Sequence, residues 1–202
     1  MKPALEAENV VFSDNSAGSG GRAETTNSEG GDGGAIYAEG ALVLTSCTFT
    51  GNAAGDGYSA GTSPGEALGG EGGAVYLLSS SAAVTITDTE FISNSAGDGG
   101  DSSGAWGGSG GTGGALVFRG GVMTITDSRF TGNTAGAGGA SSTHQVRAGA
   151  SGGALYLVAN GVGSVTVSGS EFTGNVAGTP STNPRSILRV STGSDFSRTS
   201  EE

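Results

Sequence analysis

Short segments of alternating apolar and polar residues recur along the chain at nearly constant intervals. Each ends at a phenylalanine, and four of them align over their whole length: Leu42–Phe49, Val84–Phe91, Met123–Phe130 and Val165–Phe172. A degenerate fifth segment, Leu5–Phe12, precedes them. Alternation with a period of two residues is typical of a β-strand with one buried and one exposed face. The pattern therefore predicts one such strand in every repeat.

A second signature, Gly-Gly-Ala followed by an aliphatic residue, lies upstream of each full segment. Its alanines are Ala35, Ala74, Ala115 and Ala154. They follow one another at steps of 39, 41 and 39 residues. An apolar residue also stands two places after each aliphatic one, as at Ile36 and Ala38. The signature therefore predicts another strand in each repeat, with its apolar side toward the same core.

Stacking of the repeats would bury the apolar strand face that a single repeat leaves exposed. One half-buried strand cannot cover its own apolar face, whereas equivalent positions on successive coils form continuous interior ladders. Neighbouring coils would lie about 4.8 Å apart, with each strand paired to the strands above and below it. We therefore predict an all-β fold, a right-handed parallel β-helix (β-solenoid) of about four to five coils. It would occupy residues 1–178 as one repeat domain.

A third recurring feature is Phe-x-x-Asn, which places an asparagine three residues after each phenylalanine. Phe12 is the first of these phenylalanines, and those of the full repeats are Phe49, Phe91, Phe130 and Phe172. The asparagines are Asn15, Asn52, Asn94, Asn133 and Asn175. Because the chain must turn here, stacked side-chain amides would bond to one another and to backbone groups that are otherwise unpaired. We predict two structural ladders at these positions, not a binding site.

The pairing of Gly-Gly-Ala-(Ile/Val/Leu) with Phe-x-x-Asn resembles the repeat of the polymorphic outer-membrane proteins, which are autotransporter-type adhesins. The resemblance covers residues 5–178 and implies a β-helical passenger at the cell surface. One feature departs from that family, in which a repeat corresponds to a coil. Here an extra stretch separates each asparagine from the next Gly-Gly-Ala. The likeness therefore concerns fold and location more than lineage.

The extra stretches, such as residues 53–72 and 95–113, consist almost wholly of Gly, Ser, Ala, Thr and Asp. We expect one long loop per coil, all on the same edge, and their similar length and composition predict that they stack on one another. Glycine would permit the close approach of their backbones. Trp106 and Tyr58 are the aromatic residues within them. Each is expected to pack against a neighbouring loop, and a platform on which a sugar ring stacks is the alternative.

The repeat stops after Gly178, where Thr-Pro-Ser-Thr-Asn-Pro breaks the pattern. Residues 179–202 are expected to form a C-terminal cap or a disordered tail. Within them, Ile187–Val190 is the candidate for a last strand that closes the core, and the chain beyond Gly193 is expected to lack order.

The composition excludes some protein classes and some kinds of partner. Glycine supplies 42 of the 202 residues, but only four prolines and no Gly-X-Y period exclude collagen. A net charge of −11 argues against nucleic acid as a partner, because a polyanion needs a basic face. The single cysteine, Cys47, excludes an intrachain disulfide framework and is expected to be a buried filler.

The N-terminal segment has no apolar h-region, and no apolar run is long enough to span a bilayer. The protein is therefore either cytosolic or a piece of a longer exported chain, and we favour the piece, located outside the cell or at the cell surface. The strand-like Leu5–Phe12 has no cap before it. Another coil is expected to precede it, from the same chain or from a second molecule stacked end to end.

Asp88 and Asp127 are the best candidates for catalysis, since β-helices that degrade polysaccharides use acidic residues clustered on one face. The two occupy equivalent positions on adjacent coils, which places them about 5 Å apart. The alternative, which we prefer, is that aspartate suits the bend between two strands because its side chain caps local amides. No lysine lies beyond Lys2, and the single histidine, His144, falls in a loop. We therefore expect no catalytic residues.

Beside this pair, Glu90, Arg129 and Glu171 follow one another on successive coils and predict a charge ladder that fixes register. Asp98 and Asp101 share a loop, but two carboxylates are too few to hold calcium, and no calcium-binding motif is present. We predict neither a metal site nor a cofactor.

Outward threonines form a further set, made of Thr85, Thr87, Thr124 and Thr126. Flat Thr-x-Thr arrays are how β-solenoid antifreeze proteins meet ice. Here Val43 and Ser168 interrupt the array, and threonine also suits any exposed strand. These four threonines, with Trp106 and Tyr58, are the candidates for surface binding.

Taken together, these features predict a non-catalytic structural or adhesive segment of a larger surface protein, able to stack end to end into a filament. Its expected partners are other coils or copies of the same repeat, with a carbohydrate or host-surface ligand as a further candidate. A β-helix that binds or degrades polysaccharides is the alternative, and an ice-binding protein is the third hypothesis.

Overall fold

The computed structural model describes residues 4–21, 28–58, 67–102, 106–141, 147–180 and 196–199. Their regular structure consists of twelve β-strands, and no helix occurs among them. The strands are β1 (Leu5–Glu8), β2 (Val11–Ser13), β3 (Ile36–Glu39), β4 (Leu42–Thr45), β5 (Thr48–Thr50), β6 (Val75–Thr87), β7 (Glu90–Ile92), β8 (Leu116–Thr126), β9 (Arg129–Thr131), β10 (Leu155–Ser168), β11 (Glu171–Thr173) and β12 (Phe196–Thr199). His144 and Ile187–Val190 lie outside the described residues.

The strands form two parallel sheets, which confirms the β-solenoid. One sheet has seven strands, in the order β1-β4-β6-β8-β10-β12 with β3 also paired to β6. The other has five strands, in the order β11-β9-β7-β5-β2. Each strand pairs with its equivalents on the neighbouring coils, so the chain winds through about four turns. The right-handed sense of the coil stays a prediction.

Like positions are stacked in register, as the alternating pattern requires. Leu42 pairs with Val84, Val84 with Met123, and Met123 with Val165. These side chains join those of the Gly-Gly-Ala strand in one continuous apolar core. Ile125, one alternation further along, is fully buried. The core is therefore a set of ladders that run along the axis of the solenoid.

Each coil has three sides: the first is the strand that follows Gly-Gly-Ala, the second is the alternating strand, and the third is the short strand that holds the phenylalanine. A stack of phenylalanine rings runs along the third side, on β2, β5, β7, β9 and β11. Its members are Phe12, Phe49, Phe91, Phe130 and Phe172, with ring centroids 4.5 to 4.8 Å apart and planes within 7° of parallel. The spacing equals the separation of neighbouring strands. Each ring therefore packs on the ring of the coil before it.

The first two sides of each coil are less separate than the repeat pattern predicts. In the first full coil they are the distinct strands β3 and β4, whereas in the next three coils they fuse into β6, β8 and β10. The register shifts where the two halves join, between Ser79 and Ala83 and between Ala159 and Ser164. A bulge accommodates extra residues and leaves the paired halves on either side undisturbed. This corner therefore tolerates repeats of unequal length.

At three other corners of the coil, the chain holds a residue in the left-handed region. After the second strand these residues are Asn9, Ser46, Asp88, Asp127 and Gly169, with φ from 48° to 60°. After the third strand they are Asp14, Gly51, Ser93, Gly132 and Gly174, with φ from 53° to 64°. Before the first strand they are Gly33, Gly72, Gly113 and Gly152, with φ from 65° to 73°. Glycine adopts this conformation freely, and Asn and Asp tolerate it better than other residues. The corner conformation thus accounts for the glycine, asparagine and aspartate residues at these repeat positions.

The glycine-rich stretches are built as pairs of arms. Each stretch leaves the coil as an outgoing arm and comes back as a returning arm. The outgoing arms are residues 17–21, 53–58, 95–102, 134–141 and 176–180, and the returning arms are residues 28–34, 67–73, 106–114 and 147–153. A continuous chain of backbone hydrogen bonds, each 2.7 to 3.0 Å long, alternates between the two kinds of arm. It links Gly18, Gly31, Gly55, Gly70, Gly97, Gly111, Gly136, Ala150 and Gly178 in that order.

Along an arm, equivalent hydrogen bonds recur every three residues. Ala54 and Gly57 both donate to the next outgoing arm, and Gly97 and Gly100 both donate to a returning arm. No backbone hydrogen bond joins two residues of the same described arm. Three residues per turn without internal hydrogen bonds is the geometry of a polyproline II helix. The arms therefore form a bundle of such helices beside the sheets, which confirms that they stack on one another.

Glycine is required where the arms touch. A Cβ on Gly55 would lie 2.0 Å from the carbonyl oxygen of Gly18. A Cβ on Gly97 or on Gly136 would lie 1.9 Å from the oxygen of the equivalent glycine one coil before. These separations are far shorter than any van der Waals contact, so a larger residue would force the arms apart.

The C-terminal end of the stack carries one more strand. β12 pairs in parallel with the first half of β10, from Leu155 with Phe196 to Val158 with Thr199. β12 lies within residues 179–202, for which the sequence predicts a C-terminal cap or a disordered tail, and that expectation stays a prediction. Among the described residues, no further strand lies beside the second half of β10 or beside β11.

Candidate functional site

The five asparagines of the repeat form one hydrogen-bonded ladder inside the corner that follows the third strand. Nδ2 of each asparagine donates to Oδ1 of the next, at 2.8 or 2.9 Å from Asn15 to Asn175. The same oxygen accepts the backbone N–H of the preceding asparagine, and Nδ2 also donates to the phenylalanine carbonyl one coil back. Asn52, Asn94 and Asn133 are at most 1 % exposed. Their polar groups are thus satisfied by the protein itself.

A second ladder lies at the corner between the second and third strands. Ser128 Oγ accepts the backbone N–H of Thr89 at 3.2 Å and donates to the carbonyl two residues before it at 2.9 Å. Thr89 Oγ1 bonds in the same way. Cys47 takes this place in the first full coil, where it is 1 % exposed and its Sγ lies 3.4 Å from the carbonyl of Thr45. Cys47 is therefore the buried filler that the sequence predicts.

Asp88 and Asp127 lie on the outer side of this second corner. With five further residues they line a shallow groove of about 200 Å³, namely Glu90, Ser128, Arg129, Gly169 and Glu171. Both aspartates have a φ of 48°, in the left-handed region, where Ser46 and Gly169 stand in other coils. A corner that accepts serine and glycine at the same place selects for backbone conformation and does not require a carboxylate.

The charges of the groove form the ladder that the sequence predicts. Strand pairing brings Glu90, Arg129 and Glu171 into register on β7, β9 and β11. Arg129 Nε lies 3.3 Å from Glu171 Oε2, and the two side chains are 57 % and 61 % exposed. An ion pair this open to solvent contributes at most about 1 kcal/mol to stability. Its physical effect is to favour this register over its alternatives.

Strand pairing places the outward threonines in two straight rows on the second side of the coil. One row is Thr85, Thr124 and Thr166, and the other is Thr45, Thr87 and Thr126. The rows repeat about every 4.8 Å across the strands and about 7 Å along them. Val43 stands before the first row and Ser168 after the second, so the regular array is limited to a few coils.

The outward side of the first strand carries an aromatic face that the sequence analysis missed. Tyr37 lies on Tyr76 with ring centroids 5.2 Å apart, and the guanidinium of Arg119 lies 5.3 Å from the ring centre of Tyr156. Arg119 Nη2 also lies 2.8 Å from both carboxylate oxygens of Glu71. The available signal was a tyrosine directly after the aliphatic residue in three of the four Gly-Gly-Ala signatures.

Asp32 borders this aromatic face, and its Oδ1 accepts the backbone N–H of Glu71 at 2.8 Å. Partial burial raises the pKa of Asp32 above its ordinary value of 3.8, against the lowering effect of that hydrogen bond. The negative charge of Glu71 raises the pKa further. Burial likewise raises the pKa of the Tyr76 hydroxyl. Glu71 and Arg119 lie on adjacent coils, so their ion pair holds those two coils together.

The glycine arms hold the two aromatic candidates for surface binding. Trp106 is 41 % exposed, and the guanidinium of Arg147 lies 4.9 Å from its ring centre. Tyr58 is half-buried, and its backbone exchanges two hydrogen bonds with Ser28 of the returning arm. Tyr58 therefore joins two arms, and Trp106 is the more open of the two rings.

Asp98 and Asp101 act as caps between neighbouring arms. Asp98 Oδ1 accepts the backbone N–H of Ala137 at 2.7 Å, and Asp101 Oδ1 accepts that of Ala140 at 2.6 Å. Within the part of the chain that the structure describes, no group of three or more His, Cys, Asp or Glu is placed to share a metal ion.

No protein-family description, no curated protein and no solved structure matches this chain. In the described ranges, no helix has the length and apolar character needed to cross a membrane.

Proposed function

We propose that this chain is a non-catalytic structural segment of an extracellular or cell-surface repeat protein. It holds a β-helical rod in shape and presents the outer faces of that rod for adhesion. Its partners are other coils or copies of the same repeat, with a carbohydrate or host-surface ligand as a further partner. The observation that carries the proposal is the position of Asp88 and Asp127. These carboxylates occupy left-handed corners that serine and glycine fill in other coils.

The interior ladders support the same proposal. The asparagines of the repeat, together with Thr89 and Ser128, are turned inward and bond to the coil above or the coil below. The surface location is supported by the resemblance of the Gly-Gly-Ala and Phe-x-x-Asn repeat to that of the polymorphic outer-membrane adhesins. A net charge of −11 suits a long β-rich object that must stay soluble.

The test replaces both groove aspartates, as Asp88→Asn with Asp127→Asn. The wild-type protein is expected to cleave none of a panel of acidic and neutral polysaccharides. The double variant should melt within a few degrees of the wild type, because asparagine also tolerates the left-handed region. Asp14→Asn, a carboxylate at a different corner, is the matched control. Cleavage by the wild type that the double variant loses and the control keeps would show that the groove is an active site.

Adhesion to carbohydrate is tested at Trp106, the exposed ring of the arms. Binding of the wild type to a glycan array should fall when Trp106→Ala removes the ring, because a sugar ring can stack only where an aromatic face is present. Tyr58→Phe keeps its ring and the backbone bonds to Ser28, so it should bind as the wild type does. Equal binding by Trp106→Ala and the wild type would place the adhesive surface elsewhere.

A second candidate function, ice binding, is favoured by the two straight threonine rows. An ice-binding face would lose thermal hysteresis when Thr87→Lys and Thr126→Lys interrupt one row. Thr48→Lys, on the outward side of β5, is the control. Absence of thermal hysteresis in the wild type would reject this function and leave the structural proposal intact.

A further inference from the structure

The outward side of the first strand brings two tyrosines of adjacent coils into direct contact. Tyr37 of β3 pairs with Tyr76 of β6 in the register of the parallel sheet. Their ring centroids lie 5.2 Å apart, and the ring planes differ by 15°. Such a contact adds to packing in any case, but a phenol can also undergo chemistry that a plain aromatic ring cannot.

The tyrosine pair is held in place by the strands that carry it. Just before these strands, Asp32 Oδ1 accepts the backbone N–H of Glu71 on the next coil at 2.8 Å. The residues on either side of each tyrosine within the strands are paired coil to coil, and those that point inward pack in or against the apolar core. The two rings therefore meet in a fixed register, which favours any reaction between them over reactions with distant rings.

Among the described residues, which include all four tyrosines of the chain, no other two tyrosine rings are in contact. Val117 stands between Tyr76 and Tyr156 in the register of the sheet. Tyr156 instead faces the guanidinium of Arg119. Tyr58 lies on an outgoing arm. The contact thus singles out one pair of rings, on two neighbouring coils.

We propose that Tyr37 and Tyr76 form an oxidative cross-linking site, at which a carbon–carbon bond between the two rings staples neighbouring coils together. The oxidant is hydrogen peroxide used by a peroxidase, and the product is a dityrosine. The inference rests on the proposed structural function outside the cell, where a covalent link between coils strengthens the rod. Cys47 is the single cysteine and is buried, so a disulfide cannot serve this purpose within the chain.

The reaction balances with one molecule of peroxide. Each phenol gives up one electron and its hydroxyl proton and becomes a phenoxyl radical, whose unpaired electron is shared with the ring carbons ortho to the oxygen. One ortho carbon of each ring contributes its unpaired electron to the new bond. Each of these carbons then releases its proton, and each phenolic oxygen takes one up. The pair has lost two hydrogen atoms, which reduce one hydrogen peroxide to two waters.

The interior phenylalanine stack shows what the outer face adds. Its rings are closer together, at 4.5 to 4.8 Å, but they carry no hydroxyl from which a proton and an electron can be removed. The Tyr76 ring is packed against its neighbours and only 9 % exposed. Its hydroxyl, however, bonds to no described residue and is not a buried unpaired group, so it reaches solvent.

The first experiment treats dilute wild-type protein with a peroxidase and hydrogen peroxide. The expected product is a monomer that has lost two hydrogen atoms and shows the blue fluorescence of dityrosine. Digestion should release the peptide that contains Tyr37 joined to the peptide that contains Tyr76. Oxidation of Trp106, which is an exposed ring, adds oxygen and is distinguished by mass.

Three variants locate the link. Tyr37→Phe and Tyr76→Phe each remove one hydroxyl and keep the ring contact, so both should melt as the wild type does and form none of this product. Tyr156→Phe is the matched control, because it removes a hydroxyl from the same outward side of the first strand. It should cross-link as fully as the wild type.

The second experiment measures the effect of the link on folding. A bond between Tyr37 and Tyr76 closes a loop of one whole repeat and so restricts the unfolded chain as a disulfide does. The oxidised wild type should therefore melt about 5 °C or more above the untreated protein. Oxidised Tyr37→Phe, which keeps every other oxidation product, should show no such gain.

A wild type that loses no hydrogen under conditions that couple a short tyrosine peptide would overturn the proposal. So would covalent dimers as the main product, or a Tyr76→Phe variant that still forms the internal link. A link that forms without raising the melting temperature would overturn its role as a staple. None of these outcomes touches the proposed structural function, which is tested by polysaccharide cleavage and glycan binding of the untreated protein.

Discussion

Asn94 illustrates how a polar side chain is held in the core of this solenoid. It is 1 % exposed, and its Nδ2 donates to the carbonyl of Phe49 and to Oδ1 of Asn133. Its own Oδ1 accepts two N–H groups of Asn52. A buried amide is tolerated only when each of its groups finds a partner, and stacking supplies those partners from identical residues one coil away.

We expect Asn94→Ala to lower the free energy of unfolding by about 3 kcal/mol or more. The substitution leaves Asn52 N–H groups without an acceptor, and each buried unsatisfied group costs about 1–3 kcal/mol. Denaturant unfolding of the monomer measures the loss. Asn15→Ala, at the exposed end of the ladder, is the matched control and should cost less than about 1 kcal/mol. Equal losses in the two variants would contradict an energetic role for the interior ladder.

The raised pKa of Asp32 makes its contribution to folding stability depend on pH. Its pKa is raised, so the folded protein binds its proton more tightly than the unfolded chain does. This contribution to stability is complete below the ordinary pKa of 3.8 and is lost as pH rises through the higher pKa of the folded state.

Asp32→Asn keeps the oxygen that accepts the Glu71 N–H and removes the titration. The variant should therefore gain melting temperature over the wild type as pH rises from 3 toward neutrality. Melting curves across that range measure the difference, with Asp14→Asn as a control at an exposed carboxylate. A difference that does not change with pH, or that shrinks as pH rises, would contradict the raised pKa.

At the scale of the element, the strands could be predicted because their signal is local. Alternation from Leu42 to Phe49 marks one buried face, and the same spacing in four segments fixes which residues stack. The corners were also within reach, since Asp88 and its equivalents are residues that favour bends. The fused strands β6, β8 and β10 could not be foreseen, because whether two sides of a coil share one sheet depends on bulges formed between neighbours.

The arms mark the limit of prediction from this sequence. Glycine content indicated stacking, but the three-residue period belongs to hydrogen bonds between residues far apart in the chain, such as Gly97 with Gly70 and Gly111 with Gly97. The order of Gly, Ser and Ala in the sequence does not indicate which arms are joined by a backbone hydrogen bond. Prediction of the aromatic face of Tyr37 and Tyr76 is limited by a different cause. The alternating pattern predicts that these tyrosines point outward, but it does not predict which outward side chains contact one another.

Gly70→Ala tests the arms as an element. A Cβ on Gly70 would lie 2.1 Å from the oxygen of Gly31, so the returning arm must move or its hydrogen bond to Gly55 must break. Overpacking of this kind costs about 1–3 kcal/mol, and thermal unfolding should show a loss of that size. Gly18→Ala in dilute solution is the control, since its methyl meets open space. A Gly70→Ala protein as stable as the wild type would mean that the arms are loose.

At the scale of the whole molecule, sheets and arms are two parts of one ladder-bonded object. The strands bond from coil to coil through β-pairing, and the arms bond from coil to coil through glycine amides. Asparagine, hydroxyl and phenylalanine ladders run parallel to both. A protein whose corner asparagine and hydroxyl side chains are used in this way suits the structural role that we propose.

Amide hydrogen exchange of the monomer tests this central claim most directly, because exchange reports whether a backbone N–H is held in a stable hydrogen bond. The arms that contain Gly55, Gly70, Gly97 and Gly111 should be protected nearly as strongly as the strands β6 and β8, within about tenfold in rate. Exchange of these glycine amides at the rate of an unstructured peptide, with the strands still protected, would show that the arms are independent loops and that the molecule is not one ladder-bonded rod.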